Sequence, residues 1–203
     1  MAETDKKREL IIEGAIKRFI HFGINKTTMN EIAEDLSVSK PSLYYYFPDK
    51  TSLILGVVEK IFADYFDVLH KDQKSGSSLQ TTLLNIIEVK HKFFLRYYML
   101  HLSYGNPDPS LSSVELKTYL EKMLHKNLKL HEAIFEQAME KGEIARQKEI
   151  PKLAELYLSC QSGLTSLCIM HGNKELFPGK KELKLMKDKQ ISLSKIFIKG
   201  LQS

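Results

Sequence analysis

The chain has 203 residues, 43% hydrophobic and 27% charged, with two Cys and no Trp. These values exclude a disordered chain and a disulfide-stapled miniprotein, and ten Gly with six Pro are too few turn-makers for an all-β protein. The 30 basic residues exceed the 25 acidic ones only mildly, and the whole excess lies in residues 171–203. Residues 1–50 carry eight of each sign, so a nucleic-acid role has to rest on placed cations and not on a basic domain.

Helical spacing dominates from the start. Ile12, Ala15, Ile16, Phe19 and Phe22 repeat at three and four, predicting a helix over 5–22 that Gly23 ends. Met29, Ile32, Ala33 and Leu36 form a second, shorter stripe, opened by a capping box at Thr28 and Glu31. Ser37-Val38-Ser39 is too short to be anything but a turn. A third helix over 40–47 has Ser39 as its cap and Pro41 in its first turn. Pro48-Asp49 breaks it, and a fourth helix runs over 50–71. Beyond the polar loop 74–78, helical patterns follow at 79–102, 111–126, 128–143, 151–171 and 184–200, with a strong loop signal at 105–109. The reading is all-α, with about nine helices and no strand.

Residues 28–47 have the architecture of a helix-turn-helix, joined through Ile32, Ala33, Leu36, Val38 and Leu43. The second helix is then free to enter a DNA major groove with its first residues at the base edges. Its exposed positions are Lys40, Ser42, Tyr44, Tyr45 and Tyr46. Lys supplies a phosphate or guanine contact, Ser bonds several bases, and Tyr reaches phosphates or a thymine methyl. The helix starts at Thr27 and Thr28, and at Lys50, offer backbone N–H groups to phosphates. By pattern alone, a helical hairpin with an aromatic patch fits as well.

The run from Gly23 to Ala33 (GINKTTMNEIA) and the run from Val38 to Leu53 (VSKPSLYYYFPDKTSL) resemble the tetracycline-repressor (TetR) family of bacterial regulators. The resemblance covers roughly residues 8–58; the rest agrees only in helix count and length. It implies a helix-turn-helix domain over 1–48 and a helical effector-binding and dimerisation domain over 49–203. Thr27 and Thr28 would dock phosphates, Lys40, Pro41 and Ser42 would face base edges, and Tyr44, Tyr45 and Tyr46 would lie along backbone and bases. Lys50 would grip a phosphate. One departure is Ser37, where the family usually has Gly; a left-handed Ser costs on the order of 1 kcal/mol.

The resemblance further implies a homodimer on a palindromic operator and a small-molecule effector that releases it. The last two helices are the candidate dimer surface, with Tyr157, Cys160, Leu164, Leu167, Leu193, Phe197 and Leu201 as candidate contacts. Completing an intramolecular core is the alternative for both. The middle helices are rich in aromatics, and Phe62, Phe66, Phe94, Tyr97, Tyr98, His101 and Met123 are candidate pocket residues for a largely apolar effector. An aromatic stripe also reads as plain core.

No phosphate loop, His-Glu-x-x-His or i, i+4 His pair occurs, so neither a metal nor a cofactor is expected. The longest uncharged run, Leu156–Asn173, holds too many polar or small residues for a bilayer helix, and no signal peptide is visible. Two Cys without a bridging geometry fit a reducing cytoplasm. The function expected is a sequence-specific repressor and not an enzyme. A DNA-binding activator or adaptor without an effector, and an all-α enzyme assembled from distant residues, stay open as alternatives.

Overall fold

A computed structural model describes residues 3–72, 76–97, 111–171 and 180–202. Its elements are eight helices: α1 (Glu3–Phe22), α2 (Met29–Asp35), α3 (Lys40–Tyr46), α4 (Lys50–Asp72), α5 (Leu79–Tyr97), α6 (Val114–Glu140), α7 (Ile150–His171) and α8 (Lys180–Leu201). The described residues contain no strand. The patterns expected at 111–126 and 128–143 are one helix, α6, not two. No Gly or Pro lies between Val114 and Glu140, so nothing interrupts the hydrogen-bond ladder. No described helix is long and apolar enough to cross a membrane.

The chain divides into two compact units: residues 1–66 with 93–121, and residues 67–92 with 122–203. The boundary passes along α4, α5 and α6. Residues 1–48 fall wholly in the first unit.

The first unit is punctuated by local caps. Gly23 ends α1 at φ 80°, with its N–H on Phe19 O at 2.9 Å. Thr28 and Glu31 close a reciprocal capping box on α2. Ser39 Oγ accepts from Ser42 N–H to open α3. Asp49 Oδ1 accepts from Ser52 N–H at 2.7 Å to open α4. One core joins these elements: Ile11, Ala15 and Phe19 of α1, Ile32 and Ala33 of α2, Leu43 of α3, and Leu53, Ile54 and Val57 of α4. Gly14 is required for this packing, because a Cβ there would stand 2.6 Å from a methyl of Leu36.

The second unit is held mostly by contacts distant in sequence. Phe135, Tyr157 and Phe197 interlock as rings, with Tyr157 5.7 Å from Phe135 and 5.2 Å from Phe197. Between α7 and α8 runs a buried polar network. Tyr157 Oη and Ser194 Oγ are 2.7 Å apart, Gln161 Nε2 donates to both, and Gln190 Nε2 donates to Gln161 O at 3.2 Å. Burial makes these bonds mutually dependent, since each oxygen left alone would carry its full desolvation penalty.

Candidate nucleic-acid interface

The site is built around one buried side chain. Leu43 is the sole buried residue of α3 and is 0% exposed. It pins the helix to the core, while the opposite face stays in solvent. Lys40 and Pro41 are exposed on the first turn, Ser42 and Tyr46 are half-buried, and Tyr44 and Tyr45 are 44% and 77% exposed. Tyr45 meets the Tyr46 ring edge-on at 5.1 Å, which narrows the orientations open to both rings. A surface with this composition offers one cation and three phenol hydroxyls to phosphates and base edges.

The turn into α3 carries backbone strain. Ser37 has φ 52°, the left-handed conformation in which glycine is favoured. It persists because the chain around it is tied down: Ser37 N–H reaches Glu34 O and Val38 N–H reaches Ala33 O, both at 3.0 Å.

Thr27 is a correction to the expected contacts. It is 1% exposed, its hydroxyl donates to Gly23 O at 2.8 Å, and its N–H reaches Ile24 O. A side chain sealed into the α1–α2 turn has nothing left to offer a phosphate. Thr28 is exposed, yet its hydroxyl and N–H both bond Glu31 Oε2 at 2.8 Å. Lys50 is half-buried as the first residue of α4.

Sequence reasoning missed Arg18. Its guanidinium bonds Asp35 at 2.6 Å and Glu31 at 2.9 Å, and lies 4.9 Å over the Phe22 ring. Hydrogen bonding to Asp35, chiefly, holds it more basic than usual. The Thr28 N–H, ahead of Arg18, holds the Glu31 carboxyl below its ordinary value. Arg18 thus fixes α1 against α2 and offsets two α2 carboxylates that would otherwise repel phosphates. An i-to-i+17 pairing leaves no periodic signal, so only the fold reveals it.

The candidate pocket residues are divided. Phe62, Phe66, Phe94 and Tyr97 lie in the first unit, Met123 in the second, and Tyr98 and His101 outside the described residues. Phe93 bridges Tyr65 and Tyr97, with ring centroids 5.4 and 5.7 Å away, and Phe62 meets Tyr119 at 6.2 Å. Burial pushes the Tyr65 hydroxyl up to about 12.

The candidate dimer residues also separate. Tyr157 is 2% exposed, so it belongs to the core of its own chain and is removed from a partner surface. Phe197 is half-buried, with its ring 5.2 Å from that of Tyr157 and 6.1 Å from that of Phe135. Cys160, Leu164, Leu193 and Leu201 are half-buried and Leu167 is exposed. Ile196 of the same α8 stripe, with Leu156 and Leu185, which were not anticipated, is more exposed still.

Residues 11–57 match the family model described as bacterial regulatory proteins, tetR family. Over these residues the chain carries a tetR-family regulatory domain. It is 32% identical over 92 residues to the HTH-type transcriptional regulator YuxN of Bacillus subtilis, covering 45% of this chain and 32% of that protein. It is 25% identical over 127 residues to IcaR of Staphylococcus epidermidis, a negative transcriptional regulator of the biofilm operon icaADBC, covering 63% of this chain and 66% of that one. The chain therefore spans about a third and about two thirds of the length of these two relatives. A transcriptional regulator from Cytophaga hutchinsonii has the same fold along almost its whole length: TM-score 0.84 at 27% identity, covering 97% of this chain and 99% of that one. All three relatives are named as transcriptional regulators.

Proposed function

We propose that this protein is a sequence-specific DNA-binding repressor that acts as a homodimer on a palindromic operator and is released by a small-molecule effector. The observation that carries DNA reading is the α3 face: Lys40, Tyr44 and Tyr45 turned to solvent by a helix that Leu43 anchors. Lys40, Pro41, Ser42, Tyr44, Tyr45, Tyr46 and Lys50 are the proposed contacts, with Thr28 at the start of α2. Repression is favoured by the relative IcaR, a negative regulator.

The dimer is supported by an outward apolar stripe. Leu156, Cys160, Gly163 and Leu167 recur on α7 at four, three and four, and a Cβ at Gly163 would meet nothing within 4 Å. Leu185 and Ile196 continue the apolar surface on α8, Ile196 being 70% exposed. Large apolar side chains left in water along two neighbouring helices mark an association surface.

The test is selection of bound sequences from a random DNA pool at near-physiological salt, with sedimentation in parallel. A palindrome with half-sites about one helical turn apart and a dimeric mass are expected. Failure to enrich any sequence with ligand-stripped protein would refute DNA reading, and a monomeric mass would refute the dimer.

A further inference from the structure

The α3 helix has few fixed points. Leu43 is the only buried side chain within it, and one contact sets a helix's distance from its core without setting its tilt. A second point lies just beyond the helix. Phe47 is 2% exposed, and its N–H reaches Leu43 O at 3.0 Å, so the Phe47 ring and the end of α3 move together.

Two residues outside the expected DNA contacts hold this ring. From α4, Gly56 supplies the space: a Cβ there would stand 3.0 Å from Phe47 Cε1 and 3.4 Å from Arg8 Nη2, and the ring would have to give by a few tenths of an ångström. From α1, the Arg8 guanidinium lies over the ring, 5.1 Å from its centroid. Glu59 of α4 stands 3.9 Å from Arg8 Nη2. The Arg8 and Glu59 side chains are 46% and 44% exposed, so this pair adds little to stability. What the group supplies is orientation, because α1, α4 and the end of α3 meet at one ring.

We propose that Gly56 and Arg8 are positioning residues for DNA reading: they seat the Phe47 ring, and through it set the tilt of α3, without touching DNA. This rests on the reading of α3 as the helix that enters the groove. Base-edge hydrogen bonds are directional and fail when the helix tilts, whereas phosphate contacts hold any sequence alike. A misplaced ring is therefore expected to cost discrimination and to spare general affinity for DNA.

Anisotropy titrations with the duplex selected from the random pool, and with a scrambled duplex of the same length, test this. Gly56→Ala is expected to lower the ratio of the two affinities about fivefold or more, the order of one lost base contact. Alanine is the better helix former, so the melting midpoint is expected to hold or rise. Arg8→Gln is expected to lower the ratio about twofold to fivefold, and Arg8→Lys, which keeps a cation at the ring, to restore part of it. Neither variant removes a phosphate contact, so the salt slope on scrambled DNA is expected to match the wild type. An unchanged ratio in either Gly56→Ala or Arg8→Gln would overturn the proposal. So would a salt slope reduced by about one unit in Arg8→Gln, which would make Arg8 a phosphate contact. Should Gly56→Ala fail to fold, Arg8→Gln, at an exposed position, decides alone. Wild-type protein that prefers no sequence would refute the reading of α3 itself, so the two readings fail separately.

Discussion

The reading head and the second unit solve the same problem, fixing helices against one another, in opposite ways. In the head, most polar side chains act within four residues of themselves, as Thr28 does with Glu31, Ser39 with Ser42 and Asp49 with Ser52; Arg18, paired with Asp35 and Glu31, is the exception. Its hydrogen-bonding groups mostly cap helices at the surface, and an apolar core does most of the joining, with Arg18 tying α1 to α2. In the second unit a polar network is inside, and its bonds between α7 and α8 join residues 25 to 37 apart in sequence. Caps that act on their own backbone set the helix ends of the head without help from residues distant in sequence. A unit stitched through buried amides and hydroxyls has few satisfied arrangements, and shifting one helix breaks several bonds at once.

Breaking each mode separately gives the largest effects. Leu43→Ala is expected to destabilise by about 2–5 kcal/mol and to abolish operator binding, because the cavity falls at the one anchor of α3. Urea unfolding and a gel-shift titration measure both. A loss of binding with unchanged stability would contradict the anchoring role.

The second unit is expected to be the acid-sensitive one. Burial holds His131 at about 4, against 6.5 for a free histidine. Above pH 6.5 folded and unfolded chains both keep it neutral. Between about 6.5 and 4 the unfolded chain takes up a proton that the folded chain refuses, so stability falls by about 3 kcal/mol across that window. His131→Gln is expected to flatten that part of the stability–pH curve; an unchanged slope would place the sensitivity elsewhere.

Tyr157→Phe isolates the buried network. It leaves the ring packing intact and strips Ser194 and Gln161 of a partner, for an expected loss of about 1–3 kcal/mol. A neutral result would mean that the remaining members re-pair. In the head, Tyr44→Ala is expected to weaken operator binding by about 1–3 kcal/mol without changing the unfolding midpoint. Its neighbour Leu43 should do both, so the pair separates reading from anchoring. The smallest effect expected is Ser37→Gly, which relieves the left-handed φ and stabilises by roughly 0.5–1 kcal/mol in calorimetry. A destabilised variant would show that unfolded-chain entropy outweighs the strain.

The helix boundaries of the head were legible because their causes are local. A cap, a proline or a glycine acts on the residues beside it, and α2 and α3 start at Met29 and Lys40 as their caps require. The left-handed turn at Ser37 was raised only by the resemblance, whose pattern has Gly there, since nothing local to Ser37 signals it. The α3 face was legible too, since one buried leucine leaves little choice about which residues point outward. Thr27 was misread because a threonine beside a cap looks like a surface residue until Gly23 O is seen to take its hydroxyl.

By itself, then, the sequence determined the all-helical class, the helix-turn-helix and the outward placement of Lys40, Tyr44 and Tyr45; Ser42 and Tyr46, expected outside, are half-buried. These follow from periodicity and from side chains acting on their own backbone. Only the tertiary structure decided that Tyr157 faces inward, that Leu156 and Ile196 face out, and that Arg18 pairs with Glu31 and Asp35 of α2. Each depends on which helix packs against which. An apolar stripe states that a face is covered; it carries no record of what covers it.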